Sequence, residues 1–199
     1  NYGVDPSKIT VTYIGYDRGL FKPQPKEKIQ KVKKIYKISG DYIIFVGTLQ
    51  PRKNLERLIE AFEKLTHHSS LATHHLQLVI VGKKGWMYEP IFKKVKQLGL
   101  EKKIIFTDYV PDDDLPPLIC GAKAYILPSL WEGFGIPVIE AQACGVPVVV
   151  SNVSSLPEVV EKSGILVDPK DADSIVGGIE KAMSEKTRRD LVKKGFENV

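Results

Sequence analysis

The sequence predicts an α/β fold, with a doubly wound, Rossmann-like parallel sheet of about six strands and helices on both of its faces. Short apolar runs rich in β-branched residues alternate with longer segments of helical periodicity. Several runs, such as residues 78–81 and 148–150, are apolar on both faces, as strands are when they lie between two helical layers. Strict alternation of strand and helix is typical of parallel strands joined by right-handed crossovers.

The predicted elements follow one another in a regular order. Asp171 is suited to cap the last predicted helix, and Pro137 suits a first helical turn because its missing N–H costs nothing there. Candidate strands cover residues 42–46, 76–81, 104–106, 124–127, 146–150 and 165–167. Candidate helices cover residues 54–66, 88–98, 113–121, 137–144, 157–161 and 172–183.

The start of the chain differs from the rest in composition. Residues 1–23 are predicted to form an interdomain connection together with the first strand, and residues 24–199 the Rossmann-like domain itself. Gly15, Gly19 and Pro23 interrupt the first segment. The opening residues resemble the interior of a longer protein, so a preceding domain is expected.

Residues 24–37 are rich in lysine, with Ile29, Val32, Ile35 and Tyr36 at near-helical spacing. This pattern predicts an amphipathic helix whose polar face is solvated. A membrane-binding patch is the alternative interpretation, because lysines beside apolar residues also suit an acidic lipid surface.

The composition narrows the classes of protein. A formal net charge of +5 over 199 residues is modest, which suits an anionic small molecule or an acidic membrane surface and does not demand nucleic acid. Cys120 and Cys144 lack the spacing of a disulfide framework or of a zinc site. No run approaches the roughly 18 apolar residues of a membrane span. A cytoplasmic domain without a nucleic-acid partner is therefore expected.

Two loops that leave predicted strands carry candidate chemistry, because ligands of doubly wound sheets bind at the carboxyl ends of the strands. The first loop, residues 47–54, has a turn at Gly47 and then two adjacent cations, Arg52 and Lys53, just before a helix. Two such cations can hold a diphosphate. Solvated loop charges are an equally weighted interpretation.

The second loop joins a buried strand to a short apolar helix. Glycines bring the backbone close to a ligand, and the free N–H groups of residues 134–136 (Phe134, Gly135 and Ile136) would face outward at the positive end of that helix, as in an anion site. Glu132 and Glu140 could bind hydroxyl groups on either side of the anion. Taken singly, Glu132 could instead be a residue favoured by the helix dipole, and Glu140 a surface charge.

The same residues carry a family resemblance. Residues 132–140 resemble the Glu-x7-Glu signature of the retaining glycosyltransferases of group 1 (family 4), which have the two-domain GT-B fold. The resemblance continues in the same order over essentially the whole chain, at residues 47–54, 78–82, 105–110, 143–149 and 156–160. It implies the C-terminal, donor-binding half of a GT-B enzyme, with an N-terminal acceptor domain outside this sequence.

The resemblance implies a role for each residue of the phosphate and sugar site. Lys53 and Arg52 would neutralise the donor diphosphate, and the backbone of residues 134–136 would complete that cradle. Glu140 would accept hydrogen bonds from the ribose, and Glu132 would hold hydroxyl groups of the transferred sugar. The implied catalytic set is therefore Arg52, Lys53 and Glu132.

For the nucleotide base, the resemblance implies a contact at Tyr109 and Val110, with Gly82 leaving room beside it and Gly47 lining the donor site. The chain departs from the family at Thr48, where many relatives have arginine, so Arg52 is expected to substitute for that cation. Residues 9–17 also lack the Pro-Asn-Gly that relatives often have at the interdomain turn.

The implied activity is transfer of a hexose with retention of configuration, without metal or cofactor. Residues 47–54 resemble the form found in a subset of mannosyltransferases that use GDP-mannose, so the resemblance implies GDP-mannose as the donor. The implied acceptor is a glycan or a lipid-linked sugar bound through the N-terminal domain, with a peripheral membrane contact of the longer protein, and the isolated chain is expected to be inactive. The acidic clusters at residues 112–114 and 171–173 are interpreted as helix caps in preference to metal ligands.

Two other functions remain open at this stage. A regulatory module that binds a nucleotide or a sugar without catalysis is the first, and a GT-B-type nucleotide-sugar epimerase is the second. A dinucleotide oxidoreductase is disfavoured, because no Gly-x-Gly-x-x-Gly follows the first predicted strand after residue 42.

Overall fold

The computed structural model describes residues 3–68 and 75–199, which form one parallel sheet flanked by helices. The α/β prediction is confirmed, and the bounds of every strand and helix predicted from residue 24 onward lie within two residues of an observed element. The strands are β1 (Tyr42–Val46), β2 (Gln77–Val81), β3 (Ile104–Asp108), β4 (Tyr125–Leu127), β5 (Val148–Ser151) and β6 (Gly164–Val167). The helices are α1 (Lys26–Ile35), α2 (Leu55–His68), α3 (Glu89–Gln97), α4 (Leu115–Cys120), α5 (Ile136–Ala143), α6 (Leu156–Val160), α7 (Ala172–Met183) and α8 (Glu185–Asn198).

The strand order determines where a ligand can bind. The sheet runs β3-β2-β1-β4-β5-β6, and all of its pairings are parallel. Ile44 of β1 pairs with Val79 of β2 on one side and with Tyr125 of β4 on the other. The winding direction of the chain therefore reverses between β1 and β4. In such sheets the crevice lies outside the carboxyl ends of these two strands, so their loops lie side by side.

The core lies on both faces of the sheet. Strands β1, β2, β4 and β5 are almost wholly buried, which explains their two-sided apolar sequences. Tyr42 and Tyr125 are both fully buried, and the Tyr42 hydroxyl donates to the carbonyl of Leu118 over 2.6 Å. Among the described residues, no helix has both the length and the apolar character that crossing a bilayer requires.

The prediction of a first strand within residues 1–23 is wrong for residues 3–23, and residues 1 and 2 lie outside the described part. Residues 3–23 hold a 3-10 turn at Pro6–Lys8 and otherwise no regular element. The apolar side chains of Ile9, Val11 and Tyr13 are at least 60% exposed. Their alternation is strand-like, but a strand forms only against a neighbour, and no strand of the described part pairs with them.

Helix α8 has no counterpart among the predicted elements. Its sequence has few apolar residues, and ion pairs at i,i+4 spacing, such as Asp190–Lys194, follow its surface. The helix is held against α5 by Asn198, whose amide donates to Gln142 Oε1 and to the carbonyl of Val159. Charge pairs and polar packing thus stabilise a helix that hydrophobic periodicity does not reveal.

The two adjacent glycines of α7 provide a test of this packing. A Cβ at Gly178 would lie 2.4 Å from Val167 Cγ1, whereas a Cβ at Gly177 would have no neighbour within 4 Å. Gly178→Ala should therefore destabilise the fold by about 1–3 kcal/mol through overpacking, and Gly177→Ala should stabilise it by up to about 1 kcal/mol through helix propensity. Urea unfolding of both variants measures the difference, and equal effects would contradict the placement of α7 on the sheet.

Candidate active site

The loops that leave β1, β4 and β6 are tied together at the carboxyl edge of the sheet. The amide nitrogen of Leu130 donates to the carbonyl of Arg52 over 2.8 Å. Asn54, which has a left-handed backbone with φ of 58°, donates its side-chain amide to the carbonyls of Pro128 (2.9 Å) and Pro169 (2.7 Å). Asn54 has no role in the sequence prediction, although asparagine is one of the few residues that tolerate this backbone conformation.

Arg52, Lys53 and Glu132 meet in one ionic cluster between these loops. Lys53 Nζ lies 2.6 Å from Glu132 Oε1, and Arg52 NH1 lies 3.0 Å from Glu132 Oε2. Ser129 donates its hydroxyl to Glu132 Oε1 over 2.6 Å, and Arg52 also donates to the carbonyl of Trp131. The structure thus brings together the three residues that the sequence predicts as the catalytic set. Ser129 joins them without having been predicted.

The burial of this cluster decides between two interpretations of the cations. The side chain of Lys53 is only 10% exposed and that of Arg52 is 40% exposed. Lys53 is therefore not a solvated loop charge, whereas Arg52 lies at the surface of the cluster. Because an ammonium group has three donors and a guanidinium group five, both cations can still bind an anion after pairing with Glu132. The cluster carries two positive charges and one negative charge.

The cluster keeps Glu132 ionised. Burial alone would raise the pKa of its carboxyl, but hydrogen bonds from Lys53 and Ser129, and then the one from Arg52, outweigh burial and hold the pKa below its usual value. Both carboxylate oxygens already accept hydrogen bonds within the protein. Oε2, which has Arg52 as its partner, is the oxygen with a remaining lone pair for a ligand hydroxyl.

A backbone anion cradle forms at the start of α5. Gly135 precedes this helix with φ of 101°, a left-handed conformation that suits glycine, and a Cβ there would lie 2.9 Å from Leu156. In the part of the chain that the structure describes, the N–H groups of residues 134–136 donate to no acceptor. Ser155 donates its hydroxyl to the carbonyls of Glu132 and Phe134, and these hydrogen bonds hold the loop in place. The positive end of α5 is thus free to face an anion.

Glu140 lies one turn into α5 and has the opposite electrostatic character to Glu132. Burial, and to a lesser extent the carboxylate of Asp112, raises the pKa of Glu140 to about 7. Burial and then the carboxylates of Glu140 and Glu132 raise the pKa of Tyr125 well above its ordinary value. Both acids therefore act on the Tyr125 hydroxyl, which donates to the carbonyl of Val46 at the end of β1 over 3.3 Å, and Glu140 is a half-buried group, not a free surface charge.

The remaining predicted residues line the neighbouring part of the same edge. A Cβ at Gly82, where φ is 143°, would lie 2.1 Å from the carbonyl oxygen of Gly47, so only glycine allows the β1 and β2 loops to touch. Tyr109 is 58% exposed, with Lys83 Nζ 4.9 Å from its ring centroid. Val110 is buried, so only its backbone could meet a ligand.

Two exposed tryptophans at this edge have no role in the sequence prediction. Trp86 is 60% exposed, and its indole N–H donates to Gln50 Oε1 over 3.0 Å, two residues before Arg52. Trp131 is also 60% exposed and precedes Glu132. Exposure of tryptophan cannot be recognised from hydrophobic patterning, because the same residue type is as readily buried in a core.

The acidic clusters take different roles. Asp171 caps α7, accepting a hydrogen bond from the backbone N–H of Asp173 over 2.9 Å. Asp114 precedes α4 but makes no capping hydrogen bond, and its carboxylate accepts from the hydroxyl of Tyr36 over 3.2 Å. Within residues 3–68 and 75–199, no three histidine, cysteine or acidic side chains gather as metal ligands would.

A six-stranded parallel sheet of this order, with helices on both faces, is the Rossmann-like domain that forms one half of a GT-B fold. A family model described as "Glycosyl transferases group 1" matches residues 26–198, and the chain belongs to this family. The O-antigen chain mannosyltransferase B of Escherichia coli is 35% identical over 191 residues, covering 96% of this chain and 49% of that protein. The chain thus spans about half the length of this relative.

Solved structures show the same fold. The C-terminal domain of a glycosyl transferase group 1 family protein from Francisella tularensis superposes with a TM-score of 0.79 at 25% identity, covering 93% of this chain and 96% of that domain. Sucrose-phosphate synthase from Thermosynechococcus elongatus has a TM-score of 0.78 at 26% identity, covering 92% of this chain and 46% of that protein. The first of these is a C-terminal domain whose extent matches this chain.

The ionic cluster predicts a strong coupling between Lys53 and Glu132. Lys53→Met leaves a buried carboxylate with only Arg52 as its cation, and should cost about 3 kcal/mol of unfolding free energy. Glu132→Gln in the same chain should restore part of that loss, because it removes the uncompensated charge. Urea unfolding of both single variants and the double variant measures the coupling.

An exposed ion pair of similar geometry is the control for this cycle. Lys64 Nζ lies 2.7 Å from Asp173 Oδ1, and both side chains are more than 40% exposed. Lys64→Met should change the free energy of unfolding very little, because water screens an exposed ion pair. A cost for Lys53→Met no greater than that for Lys64→Met would contradict the buried cluster.

Proposed function

We propose that this chain is the donor-binding half of a retaining hexosyltransferase, which binds a nucleotide-diphospho-sugar and passes the sugar to a glycan or lipid-linked acceptor. The observation that carries the proposal is the cluster of Arg52, Lys53 and Glu132 beside the unpaired N–H groups of residues 134–136. Cations and backbone donors for a diphosphate thus lie next to an acid that can bind sugar hydroxyls. Family membership supports the same assignment.

The proposed chemistry follows from where charge develops. When the bond between sugar and phosphate breaks, the diphosphate gains negative charge and the sugar ring gains positive charge. Arg52, Lys53 and the start of α5 stabilise the leaving group, and they are already positioned before the reaction begins. Arg52 and Lys53 supply the positive charge that a metal supplies in other transferases, so the proposal requires no metal.

Retention of configuration is proposed to proceed without a protein nucleophile. Glu132 is unsuited to attack the sugar, because the hydrogen bonds from Lys53 and Ser129 to Oε1 and from Arg52 to Oε2 stabilise its negative charge and hold its pKa low. In the proposal the departing phosphate takes the proton of the acceptor hydroxyl while that hydroxyl attacks from the same face. Glu132 then binds sugar hydroxyls through Oε2, and Glu140 binds the ribose.

The proposed donor is GDP-mannose. The form of residues 47–54 favours it, and the Escherichia coli relative at 35% identity is named a mannosyltransferase. At the base end, Tyr109 offers an exposed ring and Val110 offers only its backbone. One aromatic ring and backbone groups can contact either a purine or a pyrimidine. The nucleotide is therefore identified by measuring the binding of different nucleotide-sugars.

Calorimetric titration of the chain tests donor binding. GDP-mannose, UDP-glucose and ADP-glucose should be compared with the corresponding nucleosides, and a diphospho-sugar should bind while its nucleoside binds far more weakly. Arg52→Ala removes a charge-assisted hydrogen bond to the diphosphate and should weaken binding about 10- to 100-fold. Circular dichroism of the variant confirms that it is folded.

Lys123→Ala is the matched control for that experiment. Lys123 lies just before β4 at the opposite edge of the sheet, with Nζ 3.1 Å from Asp41 Oδ2, so its loss should leave donor affinity unchanged. Equal weakening by Arg52→Ala and Lys123→Ala would refute the diphosphate site. Donor binding by the chain, together with an inactive longer protein in a sugar-transfer assay, would favour a regulatory module instead.

The raised pKa of Glu140 predicts a pH dependence of donor binding. When the pH is below the Glu140 pKa of about 7, the carboxyl is largely protonated and is a poor acceptor for ribose hydroxyls. When the pH is above it, the carboxylate accepts them. Affinity for a nucleotide-sugar should therefore rise between about pH 6 and about pH 8, by up to about tenfold, because the ionised fraction of a carboxyl with a pKa of about 7 rises about tenfold over that range.

Glu140→Gln provides the control for this pH profile. The amide keeps a carbonyl acceptor but does not titrate, so its affinity should be constant over the same range. A nucleotide-sugar is the appropriate ligand, because its diphosphate is esterified at both ends and keeps its charge. A profile with the same slope in Glu140→Gln would assign the pH dependence to another group.

A further inference from the structure

The positive charge of this chain is concentrated in one segment. Residues 22–37 hold seven lysines and one glutamate, a net charge of +6, whereas the whole chain carries +5. The other 183 residues therefore sum to −1. Helix α1, which runs through this segment, lies outside the sheet and packs against α4. Neither the ionic cluster nor Glu140 belongs to it.

The lysines of α1 form an exposed face. Val32 is buried against the core, and Lys26, Lys28, Lys31 and Lys34 are all exposed. Lys28, Lys31 and Lys34 follow one another at i,i+3 spacing, so like charges are neighbours along one ridge of the helix, which costs helix stability. In the described part of the chain, none of these four lysines has an acidic partner within ion-pair distance.

Helix α8 provides a comparison within the same structure, because its exposed face is also rich in charged residues. Its charges alternate in sign and pair at i,i+4 spacing, as in Asp190–Lys194 and Lys193–Glu197. Helix α1 has the same exposure but lacks this pairing. A row of like charges that destabilises its own helix is explained by a partner of opposite charge.

We propose that the lysine face of α1 docks the protein on an anionic phospholipid bilayer. Besides the lysines, this face presents Ile35, which is 50% exposed and can enter the headgroup region beside the charges. Each lysine near an acidic bilayer strengthens binding about fivefold. Lys28, Lys31 and Lys34, with one apolar residue beside them, therefore give reversible, salt-sensitive binding.

The structure favours a bilayer over a discrete phosphate ligand or a nucleic acid. The groove of about 500 Å³ beside α1 has Lys22, Lys28 and Lys31 among its lining residues, but Asp113 and Asp114 line it too and would repel a phosphate inside it. No aromatic side chain lines this groove to stack on a base. The lysines can instead spread their charge over many headgroups.

Vesicle co-sedimentation tests the proposal directly. The chain should bind vesicles that contain phosphatidylglycerol and should not bind pure phosphatidylcholine vesicles, and added salt should release it. Replacing three lysines in Lys28→Gln/Lys31→Gln/Lys34→Gln should lower the partition coefficient about 100-fold. Thermal unfolding and calorimetry with a nucleotide-sugar should show that fold and donor site are unchanged.

The matched control removes three exposed lysines elsewhere. Lys93→Gln/Lys96→Gln/Lys102→Gln makes the same change in net charge on α3 and the turn after it. This variant should keep nearly all vesicle binding. Equal loss in both triple variants, no preference for phosphatidylglycerol, or binding to heparin without binding to vesicles would each overturn the proposal. Because donor binding is measured separately, its failure would leave this result unaffected.

Discussion

The contact between Lys53 and Glu132 is the interaction on which the candidate site depends. It joins a cation and an anion that are both almost out of water, in loops 79 residues apart in sequence. Removing either partner would leave a buried charge whose desolvation is not compensated. The pair therefore holds the loops after β1 and β4 together at the point where the sheet reverses its winding, and Asn54 and Leu130 reinforce that junction with backbone contacts.

Because the Lys53 contact reaches Glu132 and not Glu140, the two acids differ in ionisation. Lys53, Ser129 and Arg52 keep Glu132 ionised in a buried position, whereas burial, and to a lesser extent the carboxylate of Asp112, raises the pKa of Glu140 to about 7. Two carboxylates eight residues apart thus have opposite shifts that follow from their surroundings alone. An anion entering between them meets a cluster of net charge +1 and, at neutral pH, only a partly ionised second acid.

Hydrophobic periodicity predicts the elements of this fold well, because burial on both faces of β2 and β5 leaves a direct mark on composition. The strand order leaves no such mark. The sequence places Arg52 and Glu132 in two separate loops, and only the pairing of β1 with β4 shows that they touch. The two errors have the same origin. Residues 9–13 alternate like a strand but pair with no strand of the described part, and α8 is stabilised by ion pairs and by the contact of Asn198 with Gln142 instead of a broad apolar stripe.

The net charge of the whole chain does not indicate which region of it binds an anionic ligand. A value of +5 favours an anionic partner for the whole chain, yet the ionic cluster of the cleft contributes only +1, and residues 22–37 contribute more than the total. The affinity for anions that we propose for the cleft depends on placement, through Lys53, Arg52 and the N–H groups of residues 134–136. The charge of the α1 face depends on accumulation, because none of its exposed lysines has an acid within ion-pair distance among the described residues. One chain thus carries two positive regions of different physical origin, and each must be explained from its own contacts.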